Sequence, residues 1–187
     1  ALLKQTMSET APLLYDIYLT AANNTLRYAL GRGSNRPLLI IGLNPSTANQ
    51  YTRDQTLTRV EHFSRRRANG LIMCNLYPLR ATDPDDLPKK ADPNLIRQNT
   101  DHILNLAQKI KKPEIWAAWG DPIDKRSYLA ESLNHLHTAL ARLAPRWIQS
   151  GPTTVKGHPR HPSRLAYKNR FSAFDIGAYL ADLNHGS

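Results

Sequence analysis

The chain has 187 residues, 41% of them hydrophobic, and its 25 Lys and Arg outnumber 15 Asp and Glu to give a formal net charge of +10. No apolar run reaches the roughly 20 residues of a membrane span, the N-terminus lacks a secretory pattern, and the single cysteine, Cys74, excludes an intrachain disulfide and a cysteine-built zinc site. We therefore expect a cytoplasmic, monomeric protein with no membrane contact and enough residues for one domain with a core.

The spacing of apolar residues predicts strands that alternate with helices. Segment 16–32 is typical of a hairpin that turns at 22–24, and the apolar run 37–42 predicts a strand buried on both faces. Asp54 can cap a helix that Asn69 and Gly70 end, and a second buried strand is expected over 71–76. A proline-rich loop follows over 77–93. The remaining predicted elements are a helix that starts near Leu95, a strand over 114–119, a helix over 127–143, a strand over 146–150 and a closing helix over 171–183.

This alternation indicates a three-layer α/β/α sandwich around a central, mainly parallel four-stranded sheet, with the N-terminal hairpin added to it. We expect residues 8–187 to form this one domain and residues 1–7 to be a disordered or non-native extension. Function in such folds lies in the loops that leave the carboxyl ends of the strands. We call these loops the strand exits. Their sequences are GLNPS at 42–46, NLYPLR at 75–80, WGD at 119–121 and GHPRHPSRL at 157–165.

The exits carry side chains suited to recognition or catalysis. Asn44 and Asn75 offer amides that can orient a water or match the edge of a pyrimidine, although an Asn in a turn often only caps it. His158 and His161 lie in a loop whose prolines forbid a helix, and an imidazole can donate a hydrogen bond to a developing anion. Two amides and two imidazoles at one edge of a sheet favour a composite site.

The positive charge favours a polyanion, of which nucleic acid is the commonest, although a basic surface can also serve solubility alone. Charge runs are usually solvated, but the later cluster shares its loop with the two imidazoles, which favours contacts to phosphate. The basic residues near the exits are Arg65, Arg66, Arg67, Arg160, Arg164, Lys168 and Arg170.

Other reaction classes leave weaker traces in the sequence. Asp54, Asp83 and Asp121 could hold a divalent metal for nuclease chemistry, but no metal-binding spacing such as H-E-x-x-H is present. The G-x-S-x-G elbow of serine hydrolases, the P-loop and the G-x-G-x-x-G fingerprint are also missing. We therefore expect neither a metal nor a cofactor.

Taken in order, four motifs resemble the uracil-DNA glycosylase superfamily, in its mismatch-specific and single-strand-selective branches. The first motif there reads like G-[IM]-N-P-G, and this chain has GLNPS; an Asn then ends an apolar strand, as in CNLYPL. A third strand ends in W-G, as in AAWG, and the last motif, H-P-S-P-L or H-P-S-P-R, is matched by HPSRL at 161–165. The resemblance spans residues 38–165 and implies the same fold.

The chain is more closely similar to a family of bacterial and phage proteins of unknown function. Its members carry LNPSTA, NL-x-x-x-RATDP, AWG and G-x-PRHP, and this chain has LNPSTA at 43–48, NLYPLRATDP at 75–84, AAWG at 117–120 and GHPRHP at 157–162. This likeness implies no activity, so activity rests on the glycosylase resemblance. Ser46 stands where the glycosylases have Gly, and His158, Arg160 and RATDP have no counterpart there. These departures bear on which base is excised.

The glycosylase resemblance implies a monofunctional DNA glycosylase that hydrolyses the N-glycosidic bond of a flipped pyrimidine and leaves an abasic site. The base would be uracil, in a repair role, or a bulky modified pyrimidine such as a hypermodified phage cytosine, in a defence role. No lysine occupies a motif position, so no lyase step is expected. A non-catalytic nucleic-acid-binding module and a metal-dependent nuclease remain the alternatives.

The resemblance also assigns roles to residues. Asn44 would position the attacking water, and His161 would stabilise the departing base, with His158 as the competing candidate. Asn75 would read the base edge, and Arg164 or Leu165 would fill the vacated stack. The other residues expected at the base are Ser46, Tyr51 and Tyr77, and those expected to contact DNA are His158, Arg160, Arg164, Leu165 and Lys168. The roles of Arg80, Asp83 and Asp54 stay open.

Overall fold

The computed structural model describes residues 11–185, so the prediction for residues 1–7 lies outside the described part of the chain. The strands are β1 (Ile17–Ala21), β2 (Leu26–Arg32), β3 (Pro37–Gly42), β4 (Gly70–Asn75), β5 (Glu114–Ala117), β6 (Arg146–Ser150) and β7 (Phe171–Ala173). The α-helices are α1 (Gln55–Ser64), α2 (Pro93–Ala107), α3 (Ser127–Leu140) and α4 (Ile176–His185). Short 3₁₀ turns cover Pro84–Asp86, Asp121–Lys125, Ala141–Leu143 and Pro162–Arg164.

The strands form one mixed sheet in the order β1-β2-β4-β3-β5-β6-β7. The four inner strands β4, β3, β5 and β6 are parallel, as the sequence predicts. The predicted sheet is too small, however, because β2 of the hairpin pairs antiparallel with β4 and β7 pairs antiparallel with β6. The described part of the chain therefore contains a seven-stranded sheet rather than a four-stranded one.

The predicted closing helix over 171–183 is also wrong at its start. Phe171 packs edge-on against the buried Trp116, with ring centroids 5.0 Å apart, and its segment pairs with β6 instead of coiling. Asp175 then accepts a hydrogen bond from the Ala178 backbone N–H at 2.9 Å, which is the geometry of a helix cap. The helix accordingly begins at Ile176.

Helices cover both faces of the sheet. Along β3, Leu38 and Ile40 belong to the same buried cluster as the apolar residues of α1, whereas Leu39 and Ile41 belong to the cluster that includes residues of α2, α3 and α4. Strands buried on both faces are typical of parallel sheets between helical layers. No helix of the described residues is long and apolar enough to cross a membrane.

The chain reverses its direction of winding between two neighbouring strands, β3 and β5. After β3 it enters α1 on one face and returns to β4, whereas after β5 it enters α3 on the opposite face and returns to β6. The loops that leave β3 and β5 therefore diverge, and such a divergence opens a crevice at the carboxyl edge of the sheet.

Candidate functional site

A cavity of about 1010 Å³ lies where these two loops diverge. The first loop contributes Leu43, Asn44, Ser46 and Thr47, and the second contributes Trp119, Gly120, Asp121 and Pro122. The walls are completed by the start of α1 (54–57), by Ala81, Thr82 and Pro84, and by the last loop through Thr154, Val155, Arg160, His161, Ser163 and Arg164. Three of the four predicted strand exits thus meet in one cavity, and the fourth reaches it through residues just beyond its motif.

Five lining residues are buried to more than 95% and form what we call the cavity floor: Arg27, Leu43, Leu57, Met73 and Trp119. Arg27 is the charged member of this set. The sequence prediction missed both Arg27 and Trp119 as site residues. The available signal for Arg27 was its position inside the otherwise apolar run LRYAL of β2, because a charged residue within a buried strand needs a partner.

His161 enters the cavity wall from the 3₁₀ turn after β6. Its Nδ1 accepts a hydrogen bond from the Ser163 backbone N–H at 3.2 Å and lies 2.7 Å from the Ser163 hydroxyl. A backbone N–H can only donate, so Nδ1 is the unprotonated nitrogen and Nε2 carries the proton. Burial, with a smaller contribution from the charge of Arg164, lowers the pKa of His161 to about 4, although the charge of Asp54 opposes the shift. At neutral pH the ring is an uncharged donor through Nε2–H.

Gly120 makes room for that imidazole. Its φ of +71° is rarely adopted by other residues, and a Cβ placed on it would lie 2.9 Å from the Cβ of His161. Its backbone N–H donates to the Pro159 carbonyl at 3.0 Å, which ties the β5 exit to the last loop. The Gly of the AAWG motif therefore serves the position of His161.

Asn44 presents an acceptor to the same cavity. Its Nδ2 donates to the Ala81 carbonyl at 2.7 Å and to the Pro45 carbonyl at 3.1 Å. These two bonds fix the amide orientation, and Oδ1 makes no hydrogen bond to any described residue. An oriented, unused carbonyl oxygen at a cavity wall is suited to hold a water molecule.

His158 lies outside the cavity, in the protein interior. Its Nε2 is 3.1 Å from a carboxylate oxygen of Asp124, and its Nδ1 is 2.8 Å from the hydroxyl of Tyr179, which in turn accepts from Trp119 Nε1 at 3.0 Å. Burial raises the pKa of Tyr179. The chain Trp119–Tyr179–His158–Asp124 thus links the floor to α4 and to the 3₁₀ turn after β5, and it favours a supporting role for His158.

Asn75 ends β4 in direct register with Gly42 and does not line the cavity. It is 1% exposed, and neither its Oδ1 nor its Nδ2 has a hydrogen-bond partner in the described residues. A Cβ on Gly42 would lie 2.8 Å from Asn75 Oδ1, so the glycine of GLNPS leaves space beside this amide. A buried amide with both polar atoms unpaired is costly, by about 1–3 kcal/mol, unless a ligand reaches it.

The two tyrosines assigned to the base do not line the cavity. Tyr77 is buried against Tyr128, with ring centroids 5.0 Å apart, and its hydroxyl accepts from the Asp92 backbone N–H at 3.1 Å. Tyr51 is 44% exposed and lies in the loop before α1. The aromatic ring in the cavity is Trp119 instead.

Some of the residues expected to contact DNA line the cavity, and others do not. Arg160 and Arg164 line the cavity, and Arg160 Nε donates to the Pro152 carbonyl at 2.8 Å. Leu165 is 2% exposed, belongs to the core cluster that includes residues of α1 and does not line the cavity, so its role as a wedge stays a prediction. Lys168 is exposed and does not line the cavity.

The run of arginines after α1 is engaged within the protein. Arg65 pairs with Glu61 at 3.4 Å, Arg66 donates to the Asn169 carbonyl at 3.3 Å, and Arg67 binds both carboxylate oxygens of Glu114. Arg66 and Arg67 thus contact other parts of the fold, whereas Arg65 pairs with the preceding helix turn and its side chain stays 73% exposed.

The three aspartates considered for a metal are not grouped into one site. Asp54 caps α1 by accepting from the Leu57 N–H at 2.8 Å, and Asp121 accepts from the Thr154 hydroxyl at 2.5 Å. Both line the cavity, whereas Asp83 does not and caps the turn over Pro84–Asp86. Residues 11–185 contain no group of three or more His, Cys, Asp or Glu side chains able to hold a metal ion.

Comparison with known proteins gives a match to one protein family. No curated protein and no solved structure matches it. The family described as protein of unknown function (DUF1643) matches residues 27–163, a segment that begins at the floor arginine and includes every cavity-lining residue except Arg164. This match covers well over half of the sequence, and the chain therefore belongs to the DUF1643 family.

Proposed function

We propose that this protein is a monofunctional DNA glycosylase that hydrolyses the N-glycosidic bond of a flipped uracil or modified pyrimidine and leaves an abasic site. The observation that carries the proposal is the presence of Asn44 Oδ1 and a neutral His161 in one cavity at the divergence of β3 and β5. An acceptor for a water and an uncharged donor for a departing base are the two groups that this hydrolysis needs.

In the proposed reaction, the bond between sugar C1′ and the base nitrogen breaks, and the base leaves with the electron pair. The Nε2–H of His161 donates to the anion that develops on the base, a contact worth on the order of 3–4 kcal/mol in the transition state. A water held by Asn44 Oδ1 adds its oxygen to C1′, and its proton is transferred to the departing base or to solvent. The products are the free base and an abasic sugar.

The size and lining of the cavity support a flipped base as its occupant. Trp119 gives the floor an aromatic surface, and Leu43, Leu57 and Met73 make most of the rest apolar. A volume of about 1010 Å³ is at the upper end of pockets that hold drug-sized ligands, so it exceeds the needs of a bare pyrimidine. The excess volume can hold the sugar and phosphate of the flipped nucleotide as well as a substituent on the base.

Arg160 and Arg164 support contact with the DNA backbone, because they line the cavity from the last loop, where a phosphate beside a flipped nucleotide would lie. The net charge of +10 adds a general attraction to DNA. Asn75 keeps its proposed role in reading the base only if the bound base reaches past Gly42, and its unpaired amide is the observation in favour.

The experiment that tests the proposal incubates the protein with oligonucleotides that contain uracil, thymine, cytosine or modified cytosines, in parallel samples with Mg²⁺ and with EDTA, and examines the strands before and after alkali is added. We expect strand cleavage only after alkali, at one base type, and its loss in Asn44→Ala. A matched control is Asn105→Ala, an exposed amide on α2 that should keep full activity.

The two alternatives predict different results in the same experiment. A metal-dependent nuclease would cut without alkali and lose activity with EDTA. A non-catalytic module would bind DNA but yield no alkali-labile site on any substrate, and that outcome would refute the proposal.

A further inference from the structure

Arg27 is a buried cation without an acidic partner. Its side chain is 1% exposed, and one hydrogen bond, from Nη1 to the Ala48 carbonyl at 2.9 Å, holds it in place. Nε is buried and has no partner in the described residues, and no carboxylate there forms an ion pair with this guanidinium. A buried charge in this condition is normally balanced by an opposite charge.

A second guanidinium increases the imbalance. Arg80 Nη1 donates to the same Ala48 carbonyl at 3.1 Å, and Arg80 Nε is likewise buried and unpaired. Burial and, to a smaller extent, the charge of Arg80 together lower the pKa of Arg27 to about 10. Asp54 opposes this effect, but it caps α1 and makes no ion pair with either arginine. Two like charges therefore meet at the Ala48 carbonyl beside the cavity floor, although Arg80 is only partly buried and does not itself line the cavity.

The start of α1 adds further donors to the same cavity. Asp54 accepts from the N–H groups of Leu57 and Thr58, which leaves those of Gln55 and Thr56 without a partner inside the helix. Gln55 and Thr56 line the cavity, as Arg27 does. Helix N-termini attract negative charge, so both features favour the same kind of ligand.

We infer that the cavity floor is an anion site in which Arg27 binds a carboxylate or phosphate-like group, and that, if the proposed function holds, this group is a substituent on the excised pyrimidine. The apolar remainder of the floor would hold the ring, and Arg27 would bind the charged group. The inferred substrate is thus a pyrimidine with an acidic side group rather than plain uracil.

The anion site can be tested without any catalytic assay. Titration calorimetry with inorganic phosphate, at constant ionic strength set by chloride, should give one saturable site in the native protein. Arg27→Gln should weaken phosphate binding by about 10- to 100-fold, because hydrogen bonds to charged groups are strong, and Arg27→Lys should retain part of it. Arg97→Gln, an exposed arginine on α2, is the matched charge control and should bind phosphate normally.

Circular dichroism checks that each variant is folded, and phosphate binding by the native protein is measured independently of the variants. Absence of saturable phosphate binding in the native protein would overturn the anion site whatever the variants do. Equal phosphate affinity in folded Arg27→Gln would overturn the role of Arg27.

The source of the anion is tested with two oligonucleotides that differ in one group, 5-carboxycytosine and 5-hydroxymethylcytosine. If the anion is on the base, Arg27→Gln slows excision of the carboxylated base selectively. Equal slowing of both would assign the anion to the DNA backbone and overturn the substituent assignment. Phosphate binding without excision of any base would refute the glycosylase proposal and leave the anion site standing.

Discussion

Replacement of His161 by alanine tests the centre of the proposed chemistry. The variant removes the Nε2–H donor but leaves the cavity walls from β3 and β5 intact. A preorganised donor to a developing anion contributes about 3–4 kcal/mol, so single-turnover excision should slow roughly 100- to 1,000-fold. DNA affinity should change little, because the side chain is uncharged at neutral pH.

The matched comparison is His158→Ala, which removes the link between Tyr179 and Asp124. We expect this change to lower the melting temperature, because it removes a buried side chain and its contacts to Tyr179 and Asp124, and to slow excision much less. Both rates are measured well below the melting temperatures, with alkali used to reveal abasic sites. A slow His158→Ala enzyme beside a fast His161→Ala enzyme would refute the assignment.

The pH dependence of excision tests the protonation state in the same assay. Because the pKa of His161 is lowered to about 4, its ring is already neutral at pH 6. The protonation state of His161 therefore does not change between about pH 6 and 8, and His161 should cause no change in the excision rate over this range. A rate that falls through pH 6–7 only while His161 is present would mean that the imidazolium is the active form, and the neutral-donor reasoning would be wrong.

Four further outcomes are expected. The free energy of unfolding should decrease as pH falls from about 6.5 to 4, because His161 binds a proton in this range in the unfolded chain but not in the folded protein. Urea unfolding should show a loss on the order of 2–3 kcal/mol from this residue. This contribution should be absent in His161→Ala. Gly120→Ala should cost about 1–3 kcal/mol of stability and slow excision, since its φ is +71° and its Cβ would meet His161; normal activity would contradict this reading of Gly120. Asn75→Leu should raise the free energy of unfolding by about 1–2 kcal/mol while base selectivity is lost, and unchanged selectivity would make Asn75 a purely structural residue. DNA affinity should fall by orders of magnitude between about 50 and 200 mM salt if six or more phosphates are bound, and a level response in a filter-binding assay would remove DNA from the expected partners.

The sequence was sufficient to predict the edge of the sheet at which the cavity lies. Short apolar runs ending in GLNPS and AAWG predict parallel strands, and topology alone brings their carboxyl ends together. Asn44, Ser46, His161, Arg160 and Arg164 are accordingly found on the cavity wall.

The sequence did not predict which individual side chains point into the cavity and which point into the core. Asn75 ends β4 and Tyr77 follows it, and both side chains are buried, that of Asn75 beside Gly42 and that of Tyr77 against Tyr128. Leu165 turns inward because a 3₁₀ turn precedes it. Arg27 was missed because it lies within β2 of the antiparallel hairpin, whereas the prediction considered only the loops that leave parallel strands.

The hydrogen-bonded chain from Trp119 to Asp124 has a consequence for where this protein can be shortened. Tyr179 lies on α4, beyond the segment 27–163 that matches the family, yet its hydroxyl joins the floor tryptophan to the last loop. An expression clone trimmed to the matched segment would lose that hydroxyl together with β7 and leave Trp119 Nε1 unpaired. Gene boundaries chosen for a minimal, crystallisable or transplantable version should therefore extend through His185.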